Sequence, residues 1–267
     1  MSSTSRAARG SQPPLVLLAH GSRRPARYPP LARTVQQVRT ALPRVEVRSG
    51  YVDLQEPGPE AALEGLTGPV VLPFFLARGY HVLHDVPAAV HRHGSGTVTA
   101  HLGSDSQVVT VVAQRLDQAA RHLGGTEALD HVVLGAAGSR NRAALAEVEA
   151  VSARLSQLLG LPVTTAYLSA SGPSVAQAVR SARRRGAARV GVATYLLAQG
   201  RFHQALGTTG ADIVADPVGG HPGLAELVAR RYLQAVDRQQ PGTTPSLPLY
   251  PSVLPALAGL SARHPQA

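Results

Sequence analysis

Three side chains in the first third of this chain have the chemistry to hold a divalent metal ion. His20 follows the apolar run LVLLA in the string AHGSR, Asp53 lies in YVDLQEPGPE, and His81 lies in FFLARGYHVLHDVP. Two imidazoles and a carboxylate form a borderline-soft ligand set that suits Fe, Co, Ni or Zn. The 267-residue chain has no cysteine, so no thiolate competes with them. The pattern predicts a metal site that keeps an open coordination position for transfer.

Two further polar residues stand close to these ligands in the sequence. Glu56 precedes a proline, where an acid commonly bonds the free amides at a helix start, but it is also the alternative carboxylate to Asp53. His84 is near enough to His81 to support it or to replace it as a ligand. Alternatively, one of the two histidines hydrogen-bonds the loop at Asp85. We expect His81 to bind the metal and His84 and Glu56 to support the site.

Strands and helices in regular alternation are expected to position these residues. The apolar runs LVLLA, VEVRSGYVDL, PVVLPFFLA and TVTAHLG are separated by helical stretches near 30–42, after 59, after 85 and over 106–123. Such alternation predicts right-handed βαβ units and a parallel sheet. Open α/β sheets bind ligands beyond the carboxyl ends of their strands, and the first three strand ends are neighbours in a doubly wound sheet. The three candidate ligands are therefore expected to converge.

The second half of the chain repeats the first. HVVLGAAGSRNRAA resembles LVLLAHGSRRPAR, TTAYLSASGPSVAQAV resembles RSGYVDLQEPGPEAAL, and RVGVATYLLAQGRFHQAL resembles GPVVLPFFLARGYHVLHDV. The positions of the three ligands hold Ala137, Ser169 and Phe202 instead, and His203 is one residue out of register. A duplicated domain that has lost its ligands predicts a single metal site in the first domain, with the second domain as the opposite wall.

These observations predict an α/β fold of two similar parallel-sheet domains from an internal duplication, with a cleft between them. The stretch GGTE near Gly124 marks the expected junction. The predicted organisation is a flexible tail at 1–12, a domain with the metal site at 13–124, a repeat without the ligands at 128–238, and a Pro-rich tail at 239–267.

The chain carries a large positive charge. Its formal net charge is +10, and all 26 basic residues are Arg because the sequence has no Lys. Such a surplus fits nucleic acid, a membrane surface or a polyanionic small molecule, and a Lys-free, Ala-rich composition can equally reflect biased codon usage. The arginines are scattered through both halves and the aromatic content is only 4%, which argues against nucleic acid. No apolar run has the length of a signal peptide or a bilayer-spanning helix, so we expect a cytoplasmic protein without a membrane partner.

The strings around the candidate ligands resemble the class II chelatases of the sirohydrochlorin/CbiX type, which insert Fe or Co into tetrapyrroles. AHGSR, YVDLQEP and PFFLARGYHVLHDVP are similar to markers of that family, and AGSR and YLLAQG resemble the degenerate repeat of its long, two-domain members. The resemblance covers about residues 15–238. It implies a metal chelatase (a lyase) with His20 and His81 as catalytic, metal-binding histidines. Asp53 stands where family members often carry Glu, which leaves Glu56 as an alternative.

The resemblance also implies a substrate and its contacts. Sirohydrochlorin carries many carboxylates, which a basic cleft would attract. The expected substrate-binding residues are Ser22, Arg23, Arg24, Arg78 and Arg140, with Arg27, Arg142 and Arg201 as further candidates. The metal is a second substrate: Fe²⁺, favoured for siroheme biosynthesis, or Co²⁺ or Ni²⁺. No organic cofactor is expected, since no GxxxxGKS or GxxxxGKT phosphate loop occurs.

Several alternatives stay open at this point. His and carboxylate ligands accept Fe²⁺, Co²⁺ and Ni²⁺ alike, so a cobaltochelatase of cobalamin biosynthesis or a nickel chelatase fits equally well. A non-catalytic carrier of metal or tetrapyrrole fits the same fold. A metal-dependent hydrolase would need a positioned water and usually more carboxylates. The chain is expected to be a monomer or homodimer, and the sequence assigns no role to His203, His221 or the C-terminal tail.

Overall fold

The computed structural model describes residues 12–22 and 29–239, which contain two parallel β-sheets. The strands of the first sheet are β1 (Leu15–Ala19), β2 (Val47–Tyr51), β3 (Val70–Pro73) and β4 (Thr97–Val98). They lie in the order β2-β1-β3-β4, and every neighbouring pair is parallel. Because β1 lies between β2 and β3, the strand ends that precede the candidate ligands are adjacent, as the sequence predicts.

The second sheet repeats this arrangement. Its strands are β5 (His131–Ala136), β6 (Val163–Tyr167), β7 (Val190–Tyr195) and β8 (Ile213–Val214). They lie in the order β6-β5-β7-β8 and are again parallel throughout. The predicted fold of two similar parallel-sheet α/β domains from an internal duplication is confirmed. The two predicted tails lie outside the described residues, apart from Gln12 and Gln239.

Helices occupy the connections between strands. They are α1 (Pro30–Ala41), α2 (Pro59–Leu63), α3 (Val86–His93), α4 (Ser106–Ala120), α5 (Arg142–Leu159), α6 (Val175–Arg184), α7 (Arg201–Leu206) and α8 (Pro222–Gln239), with 3₁₀ turns at Arg121–Leu123 and Thr126–Ala128. Local signals set their starts: α1 and α2 begin with proline, the Asp105 carboxylate accepts the Gln107 amide at 2.9 Å, and Ser174 and Gln177 form a capping box. No helix in the described part of the chain is long and apolar enough to cross a bilayer.

Between β3 and α3 the chain forms a π-helical turn, His81–Asp85. The sequence pattern predicts a helix only after Asp85, and α3 does begin at Val86. The additional turn is continuous with α3, because the Val86 amide donates to the His81 carbonyl. Single π-helical turns frequently occur at functional sites, and this one contains a candidate ligand.

The last helix of each half packs on the sheet of the other half. Helix α4 contacts β7 and β8, whereas α8 contacts β3 and α1. Buried Tyr232 of α8 donates its hydroxyl to the Pro13 carbonyl, just before β1, at 2.7 Å. Buried apolar residues of both sheets and both helices form one continuous core. The predicted domains, 13–124 and 128–238, each contain one sheet, but each sheet is covered in part by the other segment.

We call β1–β4 with α1–α3 the first lobe and β5–β8 with α5–α7 the second lobe. In both, the turn after the first strand packs tightly on the turn after the second. Gly21 has a φ of +95°, and a Cβ there would lie 2.0 Å from the Asp53 carbonyl oxygen. Gly138 has a φ of +94°, and its Cβ would lie 1.8 Å from the Ser169 carbonyl oxygen. Both turns require glycine. The repeat therefore keeps the backbone of the site without its ligands.

Candidate metal-binding site

His20 and His81 lie side by side at the carboxyl edge of the first sheet. Their ring centroids are 4.6 Å apart, and the ring planes are inclined by 39°. His20 directly follows β1 and is exposed, whereas His81 begins the π-helical turn and is partly buried. Rings this close can each direct one nitrogen at a shared ion, since metal–imidazole bonds are about 2.0–2.1 Å long. The structure brings together two of the three predicted ligands.

A carboxylate fixes the orientation of the His81 ring. Asp85 Oδ2 lies 2.5 Å from His81 Nδ1. An ionised carboxylate only accepts hydrogen bonds, so Nδ1 carries the proton and donates it. The lone pair on Nε2 is then free for a metal ion, and the hydrogen-bonded carboxylate holds the ring in this tautomer and orientation.

The sequence interpretation predicts His84 as the supporting residue, whereas the side chain hydrogen-bonded to His81 in the structure is that of Asp85. The π-helical turn places Asp85 four residues after His81 on the same face, as the alternative of a histidine bonded to the Asp85 loop anticipated. The His84 ring instead packs against the ring of Tyr80, with the centroids 4.7 Å apart. The four-residue spacing of His81 and Asp85 is visible in the sequence. The two side chains meet only because the segment is helical, which the sequence pattern does not predict.

Asp53 lies beside the histidine pair along the backbone but does not complete a three-ligand cluster. Its amide donates to the His20 carbonyl at 3.1 Å, while its carboxylate accepts the Leu54 amide at 2.8 Å. Residues 12–22 and 29–239 contain no group of three or more His, Cys, Asp or Glu side chains arranged to hold a metal ion. The predicted convergence is thus incomplete, because a local backbone donor engages the carboxylate. Glu56 accepts the Gly58 amide at 2.6 Å, next to α2.

The predicted substrate-binding residues are exposed where the structure describes them. Arg23 and Arg24, like the further candidate Arg27, lie outside the described residues. Ser22 follows His20 and Gly21, and its amide donates to the Gln55 side chain at 2.7 Å, a contact that the sequence did not suggest. The exposed arginines Arg78 and Arg140, with the further candidates Arg142 and Arg201, lie in the turns after β3, β5 and β7 or at the helix starts that follow.

An open cavity of about 430 Å³ lies between the turns after β3 and β4 and helix α5. Arg78 and Val82, which flank His81, line one side, and Glu147 of α5 lines the other. The Glu147 carboxylate accepts the Arg78 amide at 2.7 Å and lies 3.1 Å from His101 Nε2. Burial lowers the pKa of His101, and the Glu147 carboxylate only partly offsets this effect. No sequence motif marks Glu147, because the contact depends on how the lobes pack.

Exposed apolar side chains cluster at the same edge. Four of the five large exposed hydrophobic residues in the described part of the chain lie in turns or helix starts after β2, β3 and β7: Leu54, Tyr80, Leu83 and Phe202. Tyr80, which is 66% exposed, contacts the edge of the His81 ring, and Phe75 stacks on that ring at a centroid distance of 6.0 Å. Apolar groups around a few polar ones are typical of small-molecule sites.

The fold and the histidine pair define a two-lobed, duplicated α/β protein with its candidate metal site in the first lobe. A family model described as CbiX matches the chain twice, over residues 14–119 and 131–235. Together the matches cover well over half of the chain, and each contains one sheet. The chain therefore belongs to the CbiX family, and the resemblance to chelatases of this type is confirmed.

The individual relatives share only about a quarter or less of their residues with this chain. A sirohydrochlorin cobaltochelatase of Methanosarcina barkeri is 26% identical over 123 residues, which cover 39% of this chain and 95% of that protein. SirB from Bacillus subtilis with Fe³⁺ is 22% identical, with a TM-score of 0.68, and the match covers 84% of this chain and 96% of SirB. CbiX, described as the terminal enzyme for biosynthesis of siroheme in denitrifying bacteria, is 20% identical, with a TM-score of 0.63 and coverage of 83% and 98%. These two structures share the fold.

Proposed function

We propose that this protein is a metal chelatase, a lyase that inserts a divalent metal ion into sirohydrochlorin or a closely related acidic tetrapyrrole. The proposal rests on the 4.6 Å distance between the rings of His20 and His81, in the lobe whose repeat lacks both histidines. The substrate class follows from the CbiX family and from the name of the Methanosarcina relatives, sirohydrochlorin cobaltochelatase.

We propose Fe²⁺ as the metal substrate and Co²⁺ as the second candidate. Fe²⁺ follows from the likeness of the long, two-domain form to chelatases of siroheme biosynthesis. Co²⁺ is favoured by the names of the Methanosarcina relatives. The imidazole pair accepts either ion, since imidazole is a suitable ligand for several divalent first-row metals.

In this proposal the metal is held on few protein ligands and is therefore easily released. His81 offers Nε2 because Asp85 engages Nδ1, and His20 offers one nitrogen from the adjacent strand end. The remaining positions on the ion stay open to water and then to pyrrole nitrogens. A fully caged metal could not be handed on, so a two-histidine site suits transfer better than a closed structural site.

The proton balance of insertion also fits a pair of histidines. M²⁺ enters the macrocycle as two pyrrole N–H protons leave, so the reaction must dispose of two protons. Each imidazole that releases the metal regains a free nitrogen lone pair, which can accept a proton. His20 and His81 can therefore accept one proton each. Asp53, at the adjacent strand end, is the candidate that relays a proton to solvent or offsets charge.

The surface around the histidines suits a flat, acidic ligand. Tyr80 and Leu83 of the first lobe and Phe202 of the second present exposed apolar surface that could cover the macrocycle. Exposed arginines from both lobes, among them Arg78, Arg140 and Arg201, would contact its peripheral carboxylates. The net charge of +10 would attract the polyanion from solution.

The direct test is insertion of metal into sirohydrochlorin, followed by the change in visible absorption, with Fe²⁺, Co²⁺ and Ni²⁺ in parallel under anaerobic conditions. We expect turnover with Fe²⁺ or Co²⁺, and we expect His20→Ala and His81→Ala each to abolish it while the far-UV circular dichroism stays unchanged. Full activity in either variant would refute the assignment of the site. Stoichiometric binding of tetrapyrrole or metal without the metallated spectrum would instead identify a carrier.

A further inference from the structure

The segment that carries His81 is attached to the opposite lobe. Glu147 of α5 reaches across the cavity between the lobes, and its Oε2 accepts the Arg78 amide at 2.7 Å. The same oxygen lies 3.1 Å from His101 Nε2, and Oε1 lies 3.7 Å from Arg78 Nε. The Glu147 side chain is only 19% exposed. One carboxylate of the second lobe thus binds the turns after β3 and after β4.

A second residue of that lobe holds the same two turns. Tyr195, at the end of β7, is buried and donates its hydroxyl to the Leu76 carbonyl at 2.8 Å and approaches the Gly103 carbonyl at 3.1 Å. Burial raises the pKa of Tyr195, so the hydroxyl stays protonated. The backbone is therefore fixed from the second lobe at two points, Leu76 and Arg78, shortly before His81.

We propose that Glu147 is a positioning residue for metal binding: it fixes the backbone before the π-helical turn so that the His81 ring faces His20. This role rests on the proposed metal site. Gly79 follows Arg78 directly, and its carbonyl accepts the Leu83 amide of the π-helical turn at 3.2 Å, so the backbone held by Glu147 is bonded to the turn that begins at His81. An error of about 1 Å in the position of a functional group is enough to impair a site. The lobe that lacks metal ligands would thus contribute to the geometry of the other lobe's site.

The chain offers a matched control on the same helix. Glu149 lies two residues after Glu147 and is bonded within the second lobe, to Thr165 Oγ1 at 2.8 Å and to the Tyr167 hydroxyl at 3.2 Å. Glu149→Ala therefore removes the same group from the same helix without touching the His81 segment. Glu147→Gln is the conservative variant, since its amide oxygen can still accept the Arg78 amide, whereas Glu147→Ala leaves that donor unpaired.

The experiment is a titration of the full chain with Co²⁺ alone, read from the visible absorption of the bound ion, with His20→Ala as the control for the site. We expect Glu147→Ala to weaken Co²⁺ binding by about tenfold, the lower end of the loss typical for residues bonded directly to a metal ligand, because Glu147 acts on His81 only through the backbone. Glu147→Gln should recover most of the affinity, and Glu149→Ala should bind like the wild type. The melting temperature of each variant without metal is measured as well, to show that a loss of Co²⁺ affinity does not come from unfolding.

The outcomes separate this role from the proposed function. Wild-type affinity in Glu147→Ala, or an equal loss in Glu149→Ala, would overturn the positioning role while leaving the metal site in place. A Glu147→Gln variant as weak as Glu147→Ala would also overturn it, because the retained acceptor should hold Arg78. A wild-type chain whose Co²⁺ spectrum does not depend on His20 would refute the metal site itself, and the role of Glu147 with it.

Discussion

Asp85 Oδ2 lies 2.5 Å from His81 Nδ1, four residues along the same π-helical turn. The contact fixes both the tautomer and the direction of the ring that faces His20. It also places a negative charge behind the candidate ligand, where it favours a bound cation. The geometry of the histidine pair therefore depends on a residue that does not itself need to touch the metal.

Removing this carboxylate should weaken metal binding strongly. We expect Asp85→Ala to lower Co²⁺ affinity about 10–100-fold, because partners that orient a metal-binding histidine commonly contribute that much. Titration with Co²⁺ and visible absorption measures the effect. His84→Ala serves as the control, because the His84 ring packs against the ring of Tyr80. Its Co²⁺ affinity should stay within about twofold of wild type. A larger loss in His84→Ala than in Asp85→Ala would contradict the assignment.

Asp53 should matter for proton transfer more than for metal binding. In Asp53→Asn the side-chain oxygen can still accept the Leu54 amide, so the local backbone is preserved. We expect Co²⁺ affinity close to wild type but an insertion rate reduced by about a hundredfold, the lower range for loss of a general acid or base. Single-turnover insertion and metal titration, measured on the same preparation, separate the two effects. Loss of metal binding in this variant would identify Asp53 as a ligand.

The paired glycine turns allow stability and metal binding to be separated. Gly21→Ala and Gly138→Ala each place a Cβ against a carbonyl oxygen at positive φ, so each should destabilise the fold by roughly 1–3 kcal/mol, measured by urea unfolding. Only Gly21→Ala should also weaken Co²⁺ binding, because His20 precedes that turn. Gly65→Ala, at positive φ but with no atom within 4 Å of the new Cβ, controls for backbone strain alone. Equal metal affinities in Gly21→Ala and Gly138→Ala would argue against this link.

His221 should make the fold sensitive to acid. Burial lowers the pKa of His221 to about 4, while an unfolded histidine titrates near 6.5. Since the folded pKa is the lower one, the unfolded chain binds more protons between these values, and stability is lost as pH falls through that window. His221→Asn keeps an acceptor for the Gly223 amide but cannot titrate. Its urea midpoint should therefore fall less between pH 7 and pH 5 than that of the wild type, and parallel falls would contradict the prediction.

The neighbourhood of the histidine pair follows from the sequence because β1 and β3 are parallel neighbours, so the segments after them share one edge of the sheet. His20 directly follows β1, whereas His81 lies beyond β3 at the start of the π-helical turn, so topology predicts its segment at this edge but not the 4.6 Å distance between the rings. The repeat is equally visible, because Gly21 and Gly138 stand at matching places with matching φ values.

Contacts that depend on packing could not be read in the same way. Asp85 reaches His81 only because a π-helical turn forms there, and no residue pattern specifies one. The carboxylate of Asp53 bonds the Leu54 amide instead of joining the histidines, a choice made by local backbone geometry. Glu147 is one of several polar residues of α5, and its contacts depend on which turn of the other lobe lies opposite. Periodicity likewise shows that α4 and α8 each have an apolar face, but not which sheet that face covers.

The exchange of α4 and α8 has a consequence for how this protein is made. A ribosome that has released only the segment up to α4 has built the sheet with both histidines, yet α8, which packs beside β3 and α1, has not been synthesised. The first sheet therefore remains partly uncovered until α8 has been synthesised. We expect the first lobe to complete its fold only after the second lobe and α8 have emerged. A chain divided at the boundary between the repeats would therefore give two fragments, each without the helix that covers part of its sheet in the whole protein.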